Sequence, residues 1–299
     1  MWVLLALISA VILGLYESLK KISVHKNAVL PVLFGSVISG TCIVLPVIAG
    51  SILFPDTFKS IHLYVPGISA NEHLLILLKS LIVISSWLFA FHALKHLPLT
   101  IATPIQATGP IWTLIGAILI FQEDLNLIQW AGVTTTLVFF YLLSTAGKLE
   151  GINFRKNQWI LFIIAGTLLS AASGLYDKFI IRKIDRLAVQ AWFSVYQLAL
   201  MLPAIALFRW TKPLTERPVF QWRWSIPAIG LFLLAADFAY FYALSFPDSM
   251  VSIVSALRRG GVLISFTIGA LLFKERNIRT KGIYLIGILI GILLISLGS

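Results

Sequence analysis

Charged residues are scarce in this sequence. Only 12% of its 299 residues are Asp, Glu, Lys or Arg, about half the share of a soluble domain, while 59% are hydrophobic. A water-soluble chain of this composition would expose its apolar excess and aggregate. Apolar runs of about 18 or more residues are instead typical of membrane spans. We therefore predict an integral, multi-pass membrane protein and expect it in a bacterial inner (plasma) membrane.

Cysteine and catalytic motifs are almost missing. Cys42 is the single cysteine and lies in an apolar run, so the sequence holds no disulfide framework and no thiolate metal site. HExxH, GxSxG and Walker motifs are absent, as is an acidic cluster suited to Mg²⁺. Nothing supplies a base-activated nucleophile. We therefore expect no enzyme, no cofactor and no bound metal.

Two halves of the sequence resemble each other. Residues 89–123 and 238–275 both carry an Ala-Leu helix end, a short Pro corner and a long apolar segment that closes on Phe-x-Glu. An earlier pair, GLYE at 14–17 and GLYD at 174–177, matches as well. Internal duplication of apolar segments is typical of secondary transporters, whose binding site lies between the repeats near the bilayer midplane.

The apolar segments divide into two sets of five, separated by a polar linker. Residues 1–147 and 156–299 each hold five spans, which predicts an all-α membrane protein of ten transmembrane helices in two five-helix repeats. Because five is odd, the second repeat enters the membrane from the opposite side, and the repeats are inverted. Glu17 and Asp177 are then expected at opposite membrane faces. The predicted spans are 2–20, 28–53, 73–95, 99–121, 126–146, 157–182, 188–210, 223–246, 249–273 and 279–298.

Lys and Arg are distributed unevenly between the connections. We attribute the formal charge of +11 to basic cytoplasmic loops near anionic lipid headgroups, and expect no nucleic-acid partner. Fifteen Lys and Arg in odd-numbered connections against five in even-numbered ones predict that both termini are extracytoplasmic. The connection between spans six and seven argues against this orientation, because it holds four of the five Lys and Arg residues found in even-numbered connections. The fifteen are Lys20, Lys21, Lys26, Lys95, Lys148, Arg155, Lys156, Arg209, Lys212, Arg217, Arg223, Lys274, Arg276, Arg279 and Lys281.

The repeated blocks resemble the EamA-type branch of the drug/metabolite transporter superfamily. That resemblance implies paired five-helix repeats whose fourth helix carries a Pro and ends in a Gly-Glu-like pair. Pro110 with Phe121-Gln122-Glu123 fits the first repeat, and Lys274-Glu275 fits the second. Gly261-Val262 replaces the Gly109-Pro110 pattern, and Arg258-Arg259 adds charge to that helix. The resemblance implies a small-solute carrier, leaves the substrate open, and favours cytoplasmic termini, against the loop charges.

Ionisable side chains inside the spans are the first candidates for a site, because they are costly in hydrocarbon and usually face a cavity or a partner. Asp237 and the Arg258-Arg259 pair should lie at similar depth in neighbouring spans, about 15–18 Å from the corner that joins them. Such a pair either locks the two spans together or leaves one Arg free for an anionic substrate group. We assign Arg258 to Asp237 and Arg259 to the substrate. Lys79 and His92 also lie inside spans, and Glu17 and Asp177 lie nearer span ends.

Polar side chains recur at helical spacing in three spans. Such stripes are typical of helices that border water, and the alternative is hydrogen bonding between helices. Three stripes together with central charges favour a wet cavity. The stripes are Gly166, Ser170, Ser173 and Asp177 in span six, Gln190, Ser194 and Gln197 in span seven, and Thr103, Gln106, Pro110 and Thr113 in span four.

Aromatic side chains near the ends of spans three and eight have two interpretations. Trp87, His92, Tyr240 and Tyr242 fit an interfacial belt, but Trp87 is deep enough to be a cavity wall. His92 is not expected to bind metal, because no second ligand stands at helical spacing. Small residues on one face of span ten (Gly287, Gly291, Gly298) and of span five (Gly132, Thr136) predict close helix packing. The family resemblance implies that these two spans form a peripheral scaffold.

We therefore predict a secondary transporter that moves a small organic metabolite by alternating access, with export of an amino acid or another carboxylate- or phosphate-bearing solute ranked first. The alternative is a translocase of an anionic or glycosylated lipid carrier, which a lateral apolar opening would support. The expected partners of the protein are a small-molecule substrate and the lipid bilayer. Coupling to a proton or a counter-substrate is left open, and a monomer is favoured over a dimer. The predicted substrate-binding residues are Arg259, Arg258, Asp237, Trp87, His92, Gln106, Thr103, Tyr240, Ser173, Asp177 and Gln197.

Overall fold

All the regular secondary structure in the part of the chain that the structure describes is helical. The computed structural model describes residues 2–109, 111–112, 115–116, 126–148, 154, 156–181, 183–211, 219–244, 246, 254, 257–258, 260–272 and 277–297. Over these residues it contains the helices α1 (Trp2–Val24), α2 (Val29–Leu53), α3 (Pro55–Ser60), α4 (Ala70–His96), α5 (Leu99–Ala107), α6 (Leu127–Lys148), α7 (Gln158–Ile181), α8 (Arg186–Thr211), α9 (Ser225–Leu244), α10 (Gly261–Leu272) and α11 (Ile278–Leu297).

Six of these helices are long and apolar enough to cross a membrane, namely α1, α2, α4, α7, α8 and α9. The apolar helices Leu127–Leu143 and Gly261–Leu272 are shorter within the described residues. The predicted count of ten helices is not confirmed, because eleven are found among the described residues. The unpredicted one is α3, which forms in the connection between the second and third spans. Pro55 at its first turn favours a helix start, since its missing N–H would be unpaired there anyway.

Two contacts at each interface show how the helices run. Ser9 Oγ donates to Ala236 O and Ser23 Oγ lies 2.6 Å from Ser225 Oγ, so α1 and α9 are antiparallel. His96 stacks on Trp159, and Tyr176 OH donates to Leu75 O, so α4 and α7 are antiparallel as well. These two pairs, together with α6 and α11, are the most extensive interfaces between the two halves within the described residues.

The helix that follows the N-terminus and the helix that opens the second half run in opposite directions. Lys21 Nζ donates to the carbonyls of Leu94 and Leu97, so α1 and α4 end on the same side of the bundle. We call that side the α1 end, and the opposite side, where α7 and α9 finish, the α7 end. Because α7 is antiparallel to α4, it is also antiparallel to α1, which is the arrangement that an inverted repeat requires.

Glycines allow the closest helix contacts. A Cβ at Gly261 would lie 2.2 Å from Ala10 O, and one at Gly14 would lie 2.4 Å from Gly261 O, so α1 and α10 touch through bare backbone. This contact gives a physical reason for a glycine at position 261. Gly291 packs against Gly132 and Thr136 in the same manner, which joins α11 to α6 and agrees with the close packing that the small-residue faces predict.

Three lysines that the sequence places in connections are buried inside helices instead. Lys20 and Lys21 lie in the last turns of α1, which continues to Val24, and Lys281 lies in the first turn of α11. All three are less than 9% exposed. Lys21 binds carbonyls at the C-terminus of α4, where a cation is favoured, and Lys281 Nζ donates to Thr100 Oγ1. These three charges therefore bind protein groups, and they carry less weight in the orientation argument than free loop charges.

Candidate functional site

A cavity lined by both apolar and polar side chains lies at the centre of the bundle, between the two halves of the chain. Its walls come from α2, α4, α8 and α9, with Tyr16 of α1 at one side. The rings of Tyr16, Trp87, Phe91 and Phe193 share the wall with polar groups of α2 and α8 and with Asp237 of α9. The space that the centre of a water molecule can occupy in the cavity is about 30 Å³, which is room for about two waters. A metabolite-sized solute therefore enters only when the walls move apart.

An ion pair joins the two halves of the chain on the side of the cavity nearer the α7 end. Lys79 of α4 donates to the Asp177 carboxylate of α7, and the two side chains are 4% and 15% exposed. The ammonium also lies 4.7 Å from the centre of the Phe193 ring, which lines the cavity. Such a pair needs good geometry, because removing two charges from water is costly. Separating α4 from α7 at this end would separate this pair.

A second ion pair forms part of the cavity wall itself. Asp237 lines the cavity and accepts a hydrogen bond from Arg258 Nη2. The Arg258 guanidinium lies 4.2 Å from the centre of the Tyr240 ring, an attractive arrangement for a cation on an aromatic face. Arg258 Nε is buried and has no hydrogen-bond partner among the described residues. This arginine therefore keeps one N–H for a further acceptor while its charge is balanced by Asp237.

A third ion pair lies behind the cavity toward the α1 end. Lys20 and Glu17, both on α1, are 2.8 Å apart. The Lys20 ammonium lies 4.6 Å from the Tyr16 ring and 5.1 Å from the Phe91 ring, and both rings line the cavity. Twelve residues of α4, about 18 Å of helix, separate Phe91 from Lys79. Glu17 and Asp177 therefore lie toward opposite ends of the bundle, each bonded to a lysine that covers a cavity ring.

Hydrogen bonds between loops join the two halves at the α1 end. The Asn27 side chain donates to Gln221 O at 2.8 Å and accepts from Gln221 N at 2.9 Å. Arg223 donates to Ile22 O, one of the free carbonyls at the end of α1. The connection between α1 and α2 is thereby tied to the segment that precedes α9. The two halves are thus joined differently at the two ends, through a buried ion pair at the α7 end and through side-chain-to-main-chain hydrogen bonds at the α1 end.

The structure brings together part of the predicted site. Trp87, Asp237 and Gln197 line the cavity, and the α8 stripe of Gln190, Ser194 and Gln197 faces it. The predicted pair of Asp237 with Arg258 is present, and Tyr240 lies beneath Arg258. Asp177 lies toward one end of the cavity, bound to Lys79.

Other predicted residues are not among the described residues that line the cavity. The His92 ring is bonded to Leu88 O and the Thr103 hydroxyl to Leu99 O, each one turn back in its own helix. Gln106 is on α5, which packs against α7, α10 and α11. Ser173 is buried on α7, whose Gly166 accepts from Ser86 of α4, so this stripe joins helices. Arg259, Pro110, Thr113, the Phe121-Gln122-Glu123 block and Lys274-Glu275 lie outside the described residues.

Several cavity residues were not predicted from the sequence. Tyr16 stands inside the repeated GLYE block, so its position beside Glu17 was a usable signal. Phe91 and Phe193 lie in long apolar runs and differ from their neighbours only in the face of the helix they occupy. Lys79 was recognised as a charge within a span, but its partner Asp177 is 98 positions away on a helix that no short connection joins to it.

Comparison with known proteins supplies the class of the chain. A duplicated helical membrane fold around a polar cavity is the architecture of secondary transporters. The model of the EamA-like transporter family matches residues 1–145 and again residues 157–297. The chain therefore belongs to the EamA-like transporter family, whose members are membrane transporters of small solutes. The two matches also agree with the two halves recognised in the sequence.

A solved structure has the same fold. One crystal structure matches with a TM-score of 0.65 at 16% sequence identity, covering 100% of this chain and 99% of that chain. This likeness establishes the architecture over the full length and says nothing of the solute. A search of the curated proteins finds no match.

Proposed function

We propose that the protein is a secondary transporter that carries a small organic anion through the central cavity by alternating access. The observation that supports this most is the position of the cavity between two ends at which the two halves are joined differently. Lys79 and Asp177 join the two halves at the α7 end, and the bonds of Asn27 to Gln221 join them at the α1 end. Opening one set while keeping the other would expose the same cavity to one side at a time.

Arg258 supports an anionic solute. It binds Asp237, which lines the cavity, and its Nε–H has no hydrogen-bond partner among the described residues. A carboxylate or phosphate can accept from that N–H or exchange with Asp237, because the guanidinium fork suits planar oxyanions. We rank export of an amino acid or a related carboxylate- or phosphate-bearing metabolite first.

Arg259 remains a proposed second partner for the anionic group of the solute. Arg259→Lys keeps the positive charge but removes the guanidinium fork, so it is expected to weaken transport and leave folding intact.

Translocation of a lipid carrier is the second candidate, and one groove on the side of the bundle favours it. The groove lies between α1, α9 and α10 and has a volume of about 360 Å³. Its lining is apolar except for Ser18, whose hydroxyl already donates to Gly14 O. The groove and the central cavity share no described lining residue. A lipid headgroup would therefore find no polar partner along the groove, which is why the small solute is preferred.

A thermal-shift screen tests the proposed function. The purified protein would be heated with members of two libraries, one of small organic acids and phosphates and one of lipid precursors. A ligand that binds only the folded state raises Tm by mass action. We expect stabilisation by organic anions, and loss of that stabilisation in Asp237→Asn combined with Arg258→Ala. Stabilisation by lipid precursors alone would transfer the assignment to the second candidate.

Membrane orientation is tested separately. The loop charges predict extracytoplasmic termini, so alkaline phosphatase fused after Ser299 should be active and green fluorescent protein fused there should stay dark. A fluorescent fusion with inactive phosphatase would show that the termini are cytoplasmic, as the family resemblance implies.

A further inference from the structure

The two walls of the central cavity differ in polarity although the halves are repeats. GLYE at 14–17 and GLYD at 174–177 are 160 positions apart, and so are Ala28-Val29 and Ala188-Val189. In this register Gln190, Ser194 and Gln197 of α8 correspond to Leu30, Phe34 and Val37 of α2. Equivalent positions thus carry amides and a hydroxyl on one side and apolar groups on the other. A solute between these walls does not meet a symmetric environment.

The polar groups that α2 does present to the cavity are already engaged. Ser36 Oγ donates to Leu33 O at 2.7 Å. Thr41 Oγ1 lies 3.0 Å from Val37 O and 2.9 Å from Ser194 O. These hydroxyls therefore have their single proton committed to main-chain carbonyls, and α2 offers a solute no spare donor at these two positions.

On α8 one amide differs from its neighbours. Ser194 Oγ donates to Gln190 O at 3.1 Å, and Gln190 Nε2 donates to Leu234 O at 3.1 Å, so both are held by the protein. Gln197 lines the same cavity and is only 5% exposed, yet its Nε2 has no hydrogen-bond partner in the part of the chain that the structure describes. Buried donors are nearly always paired in folded proteins, and an unpaired one inside a cavity indicates a place for a ligand acceptor.

Aromatic rings supply the rest of the recognition surface. Trp87 of α4 packs edge-on against Phe193 of α8, with ring centres 6.5 Å apart, and both rings line the cavity. Planar or branched apolar groups pack well against such rings. The cavity therefore combines one available amide donor with an aromatic wall.

We infer that the transported solute is a small organic acid with an apolar body and a second, uncharged oxygen acceptor, which binds in one orientation with that oxygen on Gln197 Nε2 and the body against Trp87 and Phe193. This assignment rests on the proposed function and makes Gln197 the residue that determines specificity. The anionic group then lies toward Asp237 and Arg258, on the side of the cavity nearer the α7 end. A solute turned end for end would place its anionic group on the Gln197 amide, away from the Arg258 cation, and would therefore bind less tightly.

The test uses pairs of organic acids that differ only in the acceptor. In one such pair, 4-acetylbenzoate carries a carbonyl oxygen where 4-isopropenylbenzoate carries a CH₂ group of the same shape. A panel of such pairs is screened by thermal shift on the wild type, Gln197→Leu and, as a matched control on the same helix, Gln190→Leu. For the wild type we expect at least one acceptor-bearing acid to bind about tenfold more tightly than its isostere, the effect of one hydrogen bond to a buried partner.

The variants separate a binding role from a structural one. Gln197→Leu should remove the preference for the acceptor and leave the Tm of the unliganded protein equal or higher, because its donor has no partner to lose. Gln190→Leu should lower that Tm, because the bond to Leu234 O is lost. Acids that stabilise wild type and Gln197→Leu equally would overturn this inference while keeping the proposed function. The inference is also overturned if no acceptor-bearing acid shows stabilisation that depends on Gln197.

Discussion

Arg258→Ala is expected to destabilise the protein by about 3 kcal/mol, because it would leave Asp237 inside the bundle without its cation. The variant also loses the stacking of the guanidinium on Tyr240. Asp237→Asn in the Arg258→Ala background removes the unpaired charge and should restore part of the loss. The measurement is unfolding of the detergent-solubilised proteins by heat or denaturant, with the coupling obtained from the double-mutant cycle.

Lys183→Ala is the control for that cycle. Lys183 also places its ammonium over an aromatic ring, 4.2 Å from the centre of Phe179, but its side chain is exposed. Its replacement should change stability little. Equal losses in Lys183→Ala and Arg258→Ala, or no recovery with Asp237→Asn, would mean that the ion pair contributes nothing specific to the fold.

Lys79→Ala should destabilise by about 3–5 kcal/mol, the usual effect of removing one partner from a buried ion pair. Lys79 is more deeply buried than Arg258, at 4% against 20% exposure of the side chain. Its loss also breaks the charge contact between α4 and α7, so the α7 end should open more readily. Asp177→Asn added to Lys79→Ala should recover stability while leaving that end unlocked. Hydrogen exchange along α4 and α7 reports the opening separately from the unfolding midpoint.

An exposed ion pair of the same two residue types, Lys and Asp, gives the matched comparison. Lys59 and Asp56 on α3 are 3.8 Å apart with side chains 58% and 98% exposed. Lys59→Ala should leave both stability and exchange unchanged, because exposed pairs contribute little. If Lys79→Ala behaves like Lys59→Ala, the pair at the α7 end does not hold the two halves together.

Much of the architecture can be predicted from the sequence because its signals are long and repeated. Apolar runs define the helices, the GLYE and GLYD blocks define the register of the halves, and the depth of Asp237 below its corner predicts Arg258 as its partner. That last prediction succeeds because spans eight and nine are joined by a very short connection. Two residues equally far from a tight corner lie at equal depth in an antiparallel pair.

The remainder of the site depends on contacts between helices that are distant in sequence. Asp177 binds Lys79 because α7 packs on α4, and periodicity does not reveal which helices pack together. Lys20 and Lys21 follow an apolar run and have the composition of a loop start, yet α1 continues past them and they bind carbonyls and rings of other helices. The polar stripes of α7 and α8 look alike in sequence, but only the α8 stripe faces the cavity.

The claim that the cavity opens alternately to the two sides can be measured with cysteines. Cys42→Ala removes the single native thiol, and Ser194→Cys then places one thiol in the cavity wall. Right-side-out and inverted membrane vesicles are treated with a membrane-impermeant thiol reagent, with Ser85→Cys, half-buried on α4 outside the cavity lining, as the control. The account predicts labelling of position 194 from both sides and little labelling of position 85. Labelling of position 194 from one side only, or from neither, would contradict it.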